Sequence, residues 1–343
     1  MEIIDYQAIQ SLDDPLIIDV RSPSEFTEDH LPTAINLPVL DDAQRDKIGT
    51  LYNQQSTFLA RHEGAKIICD NLPEILQTIH NRSDETRPIV VYCWRGGMRS
   101  ESLSLILDRI GYPTYQLSGG YKSYRQRVHQ FFQNRQWNRP IVTIYSLTGC
   151  GKTKLLHGLQ EVGQSVVDLE AAANHRGSAF GLIGREKQPS QKAFENDLYQ
   201  QFQNLDGPIY LEGESRHIGR LRIPDPLFDR VTSPPRVWME TDTKRRVEII
   251  FEEYEWPNSR KQLIEKLNRL RERMGNNTIN QLQSQLKNNE VRSVIRTLLE
   301  EYYDPAYRNS CPERDQFDLI INGNDLDRAK EKLTNWSQQT LTV

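Results

Sequence analysis

Cys93 ends an apolar run and opens a loop whose residue types suit the binding of an anion. The run, Pro88-Ile-Val-Val-Tyr-Cys93, predicts a buried strand, and the spacing of apolar residues over 100–111 predicts a helix that ends at Gly111. A loop between a strand and a helix directs backbone N–H groups inward, and the helix N-terminus adds partial positive charge. The residues between them, Cys93-Trp-Arg-Gly-Gly-Met-Arg-Ser100, therefore predict a cradle for an anion.

The side chains of this loop bear on the reactivity of Cys93. Its two glycines permit the tight path with positive φ that such a cradle needs, and its two arginines favour a thiolate at neutral pH. Cys93 would then act as a nucleophile or as a carrier of a terminal sulfur or selenium atom. The alternative is a buried structural thiol, which is the interpretation for Cys69. The predicted anion loop comprises Trp94, Arg95, Gly96, Gly97 and Arg99.

A second loop, Ser146-Leu-Thr-Gly-Cys-Gly-Lys-Thr153, also follows a predicted strand and opens a predicted helix. This context indicates a phosphate-binding P-loop in which Ser146 replaces the usual first glycine. The glycines let backbone N–H groups surround a diphosphate, the lysine supplies a positive charge, and Thr153 is a candidate ligand for a magnesium ion. The predicted diphosphate-binding residues are Gly149, Gly151, Lys152 and Thr153.

Polar residues near the ends of the neighbouring strands are candidates to complete the P-loop site. The carboxyl ends of parallel strands face the ligand crevice in folds of this kind. Strand-end acids also cap helices or pair with arginines, and His175 is equally compatible with a surface position. The predicted supporting residues are Asp168, Glu170, His175, Arg176, Glu212 and Arg216.

The elements that position both loops alternate between strands and helices, which is typical of α/β domains with a parallel sheet. We predict a first domain over 1–132, a linker over 133–139 and a second domain over 140–343. The charged stretch at about 244–301 predicts a helical insertion of two or three helices in the second domain. Further strands are predicted at 16–20, 115–117, 141–147, 165–169, 208–212, 236–240 and 317–322.

Composition excludes several classes of protein. The 343 residues suffice for two domains, and 26% charged with 37% hydrophobic residues is a globular composition. Neither a membrane span nor a signal peptide is expected from the apolar runs or from the N-terminus. The cysteines form no CxxC pair, which argues against a zinc site or a disulfide framework and leads us to expect a cytoplasmic location. They are Cys69, Cys93, Cys150 and Cys311.

The net charge of −4 does not favour nucleic-acid binding, but the local charge does. Over 122–139 the chain has five basic residues, no acid and several aromatic residues, a composition that suits phosphates and stacked bases. A connecting helix with a solvated basic face is the alternative. Second candidates for RNA contact are 244–246 and 260–273. The aromatic residues in and beside the first segment are Tyr121, Tyr124, Phe131, Phe132 and Trp137.

Several short motifs mark the first domain as resembling the rhodanese family over about 1–130. They are Asp19-Val-Arg21, Glu25-Phe26, His30-Leu-Pro32, Ala34-Ile-Asn36, Pro38 and Leu117-Ser-Gly-Gly120. The loop from Cys93 to Arg99 has seven residues, one more than the commonest sulfurtransferase form. The longer loop implies an anion larger than a terminal sulfur, such as phosphate or selenophosphate. A phosphatase is an alternative, although Tyr92 replaces the histidine usual in that branch.

Motifs in both halves extend the resemblance to nearly the whole chain. They are the segment from Tyr92 to Ser100, Leu147-Thr-Gly-Cys-Gly-Lys-Thr153, Asp168-Leu-Glu170, His175-Arg-Gly-Ser178, Glu212-Gly-Glu-Ser-Arg216 and Tyr302-Tyr-Asp-Pro-Ala-Tyr307. In these segments the chain resembles the tRNA 2-selenouridine synthase family.

The resemblance implies a transferase that acts on tRNA carrying 2-thiouridine at the wobble position. The thiouridine would be S-geranylated with geranyl diphosphate, and selenophosphate would then displace the geranylthio group to leave 2-selenouridine. Cys93 would attack selenium or position its donor, and the basic segment over 122–139 would contact the RNA. The main alternative is a sulfurtransferase fused to an ATP-dependent kinase or ATPase. A binding module without chemistry is the remaining one, and the presence of Cys93, Lys152 and Thr153 argues against it.

Overall fold

A computed structural model of the chain describes residues 1–341 except 138, 179–180, 182–184, 186, 204, 255 and 309–311, and it omits the side chains of 256–259 and 308. Cys311 therefore lies outside the described residues. The chain divides into two compact units, Met1–Phe131 and Phe132–Val343. No helix of the described residues combines the length and the apolar character that crossing a membrane requires.

The first unit contains a five-stranded parallel sheet in the order β1-β5-β4-β2-β3. Every residue of β4 and of β2 is buried, as expected for parallel strands covered by helices on both faces. The apolar runs therefore predict these central strands correctly. The strands are β1 (Glu2–Ile4), β2 (Leu16–Asp19), β3 (Ile35–Asn36), β4 (Ile89–Tyr92) and β5 (Thr114–Leu117).

Six helices accompany this sheet, and their apolar faces bury a core that includes Ile18, Ile79, Val91 and Leu107. The helix after the Cys93 loop ends at Gly111, whose φ of 117° confirms the predicted glycine cap. The helices are α1 (Tyr6–Ile9), α2 (Pro23–Glu28), α3 (Asp42–Gln54), α4 (Thr57–His80), α5 (Met98–Ile110) and α6 (Gly120–Gln133).

The second unit has its own five-stranded parallel sheet in the order β12-β11-β6-β8-β7, with a short antiparallel pair, β9 and β10, beside it. All six residues of β6, the strand before the P-loop, are buried at the centre of the sheet. The strands are β6 (Ile141–Ser146), β7 (Ser165–Val167), β8 (Ile209–Glu212), β9 (His217–Ile218), β10 (Leu221–Arg222), β11 (Arg236–Glu240) and β12 (Leu319–Asn322). Two parallel α/β sheets confirm the predicted fold class.

Helices of the second unit pack on this sheet or form a helical subdomain with its own core, which includes Leu267, Ile279, Leu282 and Val294. A π-helix, Leu299–Tyr303, follows α15, and a 3₁₀ turn, Arg314–Gln316, precedes β12. The α-helices are α7 (Lys152–Glu161), α8 (Leu169–Ala172), α9 (Gln191–Gln201), α10 (Asp225–Val231), α11 (Thr243–Glu253), α12 (Trp256–Arg269), α13 (Arg271–Met274), α14 (Asn276–Lys287), α15 (Val291–Leu298), α16 (Asp304–Arg308) and α17 (Leu326–Thr340).

The prediction of two or three helices over 244–301 is wrong, because five α-helices and the start of the π-helix occupy this stretch. Tyr254, which caps α11, is extended at φ −112° and ψ 136°. Gly275 and Asn289 adopt positive φ values of 82° and 62°, which end a helix. Periodicity continues across such short breaks, so it does not reveal them.

The aromatic residues of the basic segment are not free to stack bases. Tyr121, Tyr124, Phe131 and Phe132 are at most 6% exposed, since α6 packs this face into the protein. Of the basic residues, Arg135 pairs with an aspartate at 3.3 Å, and Arg125 and Arg139 also lie within 4.0 Å of one. The expectation of an aromatic RNA contact here is therefore wrong for these four side chains.

Candidate active site

The loop at Cys93 connects β4 to α5 and is held by the start of α6. The backbone N–H of Tyr121 donates to the Cys93 carbonyl at 2.8 Å, and that of Lys122 donates to the Trp94 carbonyl at 3.0 Å. A Cβ atom at Gly120 would lie 2.2 Å from the Cys93 carbonyl oxygen. Only glycine permits this close approach, so the residues at 117–120 shape the anion loop from behind.

The two glycines of the loop have different roles. Gly96 has a φ of 70°, as predicted, and a Cβ there would lie 2.9 Å from the Leu117 carbonyl oxygen. Gly97 has a φ of −100°, so the prediction of positive φ is wrong at this position. A Cβ at Gly97 would meet no atom within 4 Å. Gly97 therefore leaves open space at the N-terminus of α5, whereas Gly96 provides the turn.

Two polar residues outside the predicted set contact the thiol of Cys93 or support its neighbours. The Ser100 hydroxyl lies 3.3 Å from Cys93 Sγ, and Gln116 Nε2 donates to Ser100 Oγ at 2.8 Å and to the Gly96 carbonyl at 3.1 Å. Although burial acts to raise it, the pKa of Cys93 is lowered by the Ser100 hydroxyl, the charge of Arg99 and nearby backbone N–H groups. The site therefore stabilises the thiolate of Cys93 more than water stabilises that of an ordinary cysteine.

Replacing Ser100 with alanine should lower the fraction of Cys93 that is present as thiolate near neutral pH. Because the hydroxyl stabilises the anion, its loss should raise the pKa of Cys93, so that the pH midpoint for reaction of the thiol moves upward. Alkylation of Cys93 by iodoacetamide, followed by peptide mass spectrometry across a pH series, measures the midpoint. Ser102, whose hydroxyl donates to the Met98 carbonyl on the exposed side of α5, provides the control variant Ser102→Ala. An unchanged midpoint in Ser100→Ala would contradict the assignment.

Arg99 and Arg95 differ in their surroundings. Arg99 Nη1 donates to Glu25 Oε2 at 2.8 Å, and this contact holds its guanidinium group beside the loop. Arg95 is exposed, while Trp94 packs on Tyr121 with ring centroids 5.3 Å apart. The loop opens into a cleft of about 700 Å³ whose other wall is formed by α3 and α4.

The second loop has P-loop geometry. Gly149 and Gly151 have φ values of 76° and 88°, and Gly151 immediately precedes α7, which begins at Lys152. Ser146 ends β6 without positive φ, which is the condition under which serine can replace the first glycine. A cleft of about 570 Å³ lies over the loop, at the carboxyl ends of the strands. This arrangement can bind a phosphate group through backbone N–H donors.

Carboxylates surround the ammonium group of Lys152. Lys152 Nζ lies 3.8 Å from Glu214 Oε1, the Thr153 hydroxyl lies 3.5 Å from Glu170 Oε2, and the Glu170 N–H donates to Glu212 Oε1 at 2.7 Å. Glu214 was not among the predicted residues. Its signal is its position two residues beyond Glu212, at the end of β8, where the next side chain on the same side reaches the crevice.

Burial and mutual repulsion dominate the protonation of this cluster. Burial, together with the charge of Glu214, raises the pKa of Glu170 well above its ordinary value, and burial with Asp168 and Glu170 does the same for Glu212. Burial also raises the pKa of Glu214, although Lys152 opposes this. Burial acts to lower the pKa of Lys152, yet Glu214 and Glu170 raise it. Lys152 therefore stays charged, and the carboxyl groups can hold a proton.

The oxygen atoms at Thr153 and Glu170 fit a magnesium ion, which prefers hydroxyl, carboxylate and phosphate oxygens. Among the described residues no group of three His, Cys, Asp or Glu side chains could hold a metal ion. An ion at this position would therefore take its remaining oxygens from a bound diphosphate and water. It would supply charge to neutralise the phosphate oxygens.

The other predicted supporting residues separate into two groups. Asp168 and Arg176 both line the cleft. Asp168 also accepts from the Ala171 N–H at 2.7 Å and so caps α8, and the Arg176 guanidinium group lies 4.6 Å from the centroid of the Tyr254 ring. His175 is 6% exposed, so the surface alternative is wrong, and its Nδ1 has no hydrogen-bond partner among the described residues. Arg216 pairs with Asp225 and stacks on Phe228, and it does not line the cleft.

A buried ion pair fastens the P-loop to the segment after the π-helix. Arg246, 2% exposed, donates to Asp304 through both terminal nitrogens at 2.9 and 2.6 Å, and its Nε donates to the Thr148 carbonyl at 2.9 Å. The π-helix carries Tyr302 and Tyr303 to the rim of the cleft, and π-helical turns often occur at functional sites. Asp304 and Arg246 therefore position this rim relative to the P-loop.

A chamber of about 70 Å³, lined in part by apolar side chains, adjoins the P-loop cleft. Six residues line both spaces, and they are Thr148, Gly149, Arg176, Ser178, Glu253 and Tyr303. A Cβ at Gly149 would lie 2.4 Å from Ile250 Cδ1, so glycine keeps the P-loop against this apolar wall. The apolar side chains of the chamber come from the helical subdomain and are Ile250, Leu263, Ile295, Leu298 and Leu299.

The fold and both loops define a class of protein that joins a rhodanese-type thiolate loop to a P-loop domain. The family model described as a rhodanese-like domain matches residues 5–127, and the model described as the AAA domain of tRNA 2-selenouridine synthase matches residues 139–340. The chain belongs to the tRNA 2-selenouridine synthase family. The rhodanese and P-loop resemblances are thereby confirmed.

Three curated relatives illustrate the similarity, and each is named tRNA 2-selenouridine synthase. The protein of Chromohalobacter salexigens is 34% identical over 85% of this chain and 87% of the relative. That of a Sulfurovum species is 31% identical over 93% of this chain and 94% of the relative. That of Nitrosomonas europaea is 37% identical over 74% of this chain, and the match spans 66% of that relative's length.

Proposed function

We propose that this chain is a transferase that converts 2-thiouridine at the tRNA wobble position to 2-selenouridine through S-geranyl-2-thiouridine. Geranyl diphosphate and selenophosphate are the co-substrates. The observation that carries the proposal is the continuity of the P-loop cleft with the partly apolar chamber, because a diphosphate joined to a hydrocarbon chain needs both.

The first step uses the P-loop. The diphosphate binds the backbone N–H groups between Gly149 and Thr153, and the chain end enters the chamber beyond Gly149. The thiocarbonyl sulfur attacks the first carbon of the geranyl group, the carbon–oxygen bond breaks, and diphosphate leaves with its electron pair. Lys152 stabilises the charge that develops on the leaving oxygens. The proton lost from the uracil ring passes to a base, for which the buried carboxyl groups around Lys152 are available.

The second step uses the anion loop. Selenophosphate binds the N–H groups and arginines beside Cys93, and its selenium forms a bond to the activated ring carbon. The carbon–sulfur bond breaks, geranylthiolate leaves, and the phosphoryl group passes to water. S-Alkylation makes this displacement possible, because an alkylthiolate leaves the ring carbon more readily than the sulfur of a free thiocarbonyl does. Cys93 either bonds to selenium before the transfer or holds its donor in place.

Replacing Lys152 with alanine should weaken the binding of geranyl diphosphate by about tenfold to a hundredfold, since a charged hydrogen bond contributes about 1.5–3 kcal/mol. Isothermal titration calorimetry with geranyl diphosphate and with inorganic diphosphate measures the change. Both affinities should fall in the variant, and the unmodified protein should bind the geranyl form more tightly. Lys287, exposed at the end of α14, provides the matched control Lys287→Ala. Unchanged affinity in Lys152→Ala would count against the P-loop assignment.

The whole reaction is tested by mass spectrometry of tRNA nucleosides after incubation with thiolated tRNA, geranyl diphosphate and selenophosphate. We expect geranylthiouridine without selenophosphate and selenouridine with it. ATP hydrolysis with neither product would reject the proposal in favour of a sulfurtransferase fused to an ATPase.

A further inference from the structure

The cleft beside Cys93 is larger than the anion loop requires. Its volume of about 700 Å³ is within the range that accommodates ligands the size of a nucleotide, whereas selenophosphate is a single tetrahedral group. The far wall consists of residues from α3 and α4, outside every segment that the sequence motifs mark. Part of this wall is apolar, with Ile48 and Ile68 on it. The wall formed by α3 and α4 is not needed for the selenium donor, so it is available to a larger ligand.

The charge of this cleft is one-sided. Four arginines line it, two from the loop and two from the far wall, and no aspartate or glutamate is among its lining residues. Arg45 comes from α3 and Arg61 from α4, and within the described part of the chain neither has a carboxylate partner within ion-pair distance. Arg99 is paired with Glu25, so the guanidinium groups of the far wall are the ones that suit a polyanion with phosphates on more than one side.

Gly49 leaves room for the guanidinium group of Arg45. A Cβ atom built at Gly49 would be 2.7 Å from Arg45 Nη1, so the arginine folds over the bare backbone of the next helical turn, and the flexible end of its side chain would have to shift if a side chain were added there. Glycine in the interior of a helix is unfavourable relative to alanine, and α3 nevertheless has it at this position. The absence of a side chain at Gly49 thus allows Arg45 to lie along the cleft wall.

Tyr52 adds an aromatic surface to the same wall. It lines the cleft from α3, one turn beyond Gly49, and its side chain is 52% exposed. An exposed aromatic ring beside arginines is the usual platform for an unstacked RNA base. By contrast, the aromatic residues of α6 are buried, so they cannot stack on an RNA base as Tyr52 can.

We propose that the α3–α4 wall of the Cys93 cleft binds the tRNA nucleotide that is being modified. Its base stacks on Tyr52, and Arg45 and Arg61 bind the backbone phosphates that flank it. The inference rests on the proposed function for the identity of the RNA. It adds the location of the nucleotide and three residues that hold it, and it leaves the loop arginines to the selenium donor.

The test measures the affinity of the full chain for tRNA carrying wobble 2-thiouridine, by fluorescence anisotropy across a salt series. Arg45→Ala and Arg61→Ala should each raise the Kd about fivefold to tenfold and reduce the slope of log K against log salt by about 0.7–0.9, the value for one phosphate contact. The control Lys47→Ala removes an exposed charge from the same helix outside the cleft. An equal effect in Lys47→Ala would overturn the proposal, since it would indicate unspecific attraction.

Three further variants test the position of Arg45 and the stacking on Tyr52. Gly49→Ala keeps every charge and favours the helix, but it displaces the Arg45 guanidinium group. It should weaken tRNA binding, but less than Arg45→Ala does, because the flexible guanidinium group shifts and keeps its charge, and thermal stability should be kept or raised. Tyr52→Ala should weaken binding about tenfold, and Tyr52→Phe should restore it because the ring remains. Wild-type affinity in both Gly49→Ala and Tyr52→Ala would overturn the proposal.

A second assay, the KM for selenophosphate, distinguishes whether Arg45 and Arg61 bind the phosphates of tRNA or the free selenium donor. If Arg45 and Arg61 bound the free selenium donor, the variants would keep their tRNA affinity while the KM for selenophosphate rose, and this result would overturn the proposal. Failure of the proposed function is recognised separately, because the unmodified protein would then form neither geranylthiouridine nor selenouridine. Intact product formation with wild-type tRNA binding in all variants would reject only the location inferred here.

Discussion

Replacement of Cys93 with alanine should abolish selenium incorporation and leave geranylation intact. The thiol is the one nucleophile in the anion loop, its pKa is lowered, and Ser100 and Gln116 support it from behind. All P-loop residues belong to the other compact unit, so the geranyl diphosphate site loses nothing. We expect the rate of selenouridine formation to fall by at least about 10³-fold, a loss typical of removing a nucleophile.

Nucleoside mass spectrometry measures this prediction, because the variant should accumulate geranylthiouridine. Cys69→Ala provides a matched control, since it removes an exposed thiol from the same unit. Cys93→Ser separates the two roles open to the residue. A serine that retains substantial activity would indicate that Cys93 positions the donor, whereas full loss would favour a covalent bond to selenium. Loss of both steps in a folded Cys93→Ala protein would contradict the division of chemistry between the units.

Replacement of Arg246 with alanine should destabilise the second unit by about 3–5 kcal/mol, because it breaks a buried ion pair and leaves Asp304 without its partner. It should also weaken diphosphate binding, since the Thr148 carbonyl of the P-loop loses its donor. Urea unfolding followed by fluorescence measures the first effect, and calorimetry measures the second. The neighbouring Arg245→Ala, which removes a half-exposed charge 4.0 Å from Glu252, should cost less than about 1 kcal/mol.

A double variant, Arg246→Met with Asp304→Leu, distinguishes the two effects. Apolar replacement of both partners removes the unpaired charge, so stability should largely return. Diphosphate affinity should remain low, because methionine cannot donate to Thr148. If Arg246→Ala unfolds at the same urea concentration as the unmodified protein, the ion pair between Arg246 and Asp304 does not stabilise the second unit as its geometry indicates. Recovery of diphosphate affinity in the double variant would show that Thr148 needs no donor.

The sequence predicts the sheets well and the groups around the reactive atoms less well. The runs ending at Tyr92 and Ser146 are buried on both faces, so an unbroken apolar pattern identifies them directly. Ser100 and Gln116 approach Cys93 only because α5 and β5 meet behind the loop, which no local pattern encodes. The two-residue strand β3 and the antiparallel pair β9–β10 are too short to produce a periodic signal.

Contacts between distant segments explain the remaining differences. Lys152 and Glu214 come together because β8 lies beside β6 in the sheet, and this neighbour relation is a matter of topology. The basic segment predicts an RNA contact by composition, but the aromatic face of α6 is the face that packs inward. Periodicity fixes which residues share a face of a helix, and only the tertiary structure decides whether that face meets water or protein. The roles of the loop residues, of His175 and of Arg216 remain predictions.

The contact between Lys152 and Glu214 has a consequence for ligand selection. Lys152 Nζ lies 3.8 Å from Glu214 Oε1, so an incoming anion must compete for the ammonium group with an internal carboxyl group that cannot diffuse away. A singly charged anion such as bicarbonate or acetate gains little by this exchange, whereas a diphosphate brings enough charge to displace Glu214. Glu214 would therefore make the P-loop selective for multiply charged ligands. The abundant small anions of the cell would bind too weakly to occupy the loop.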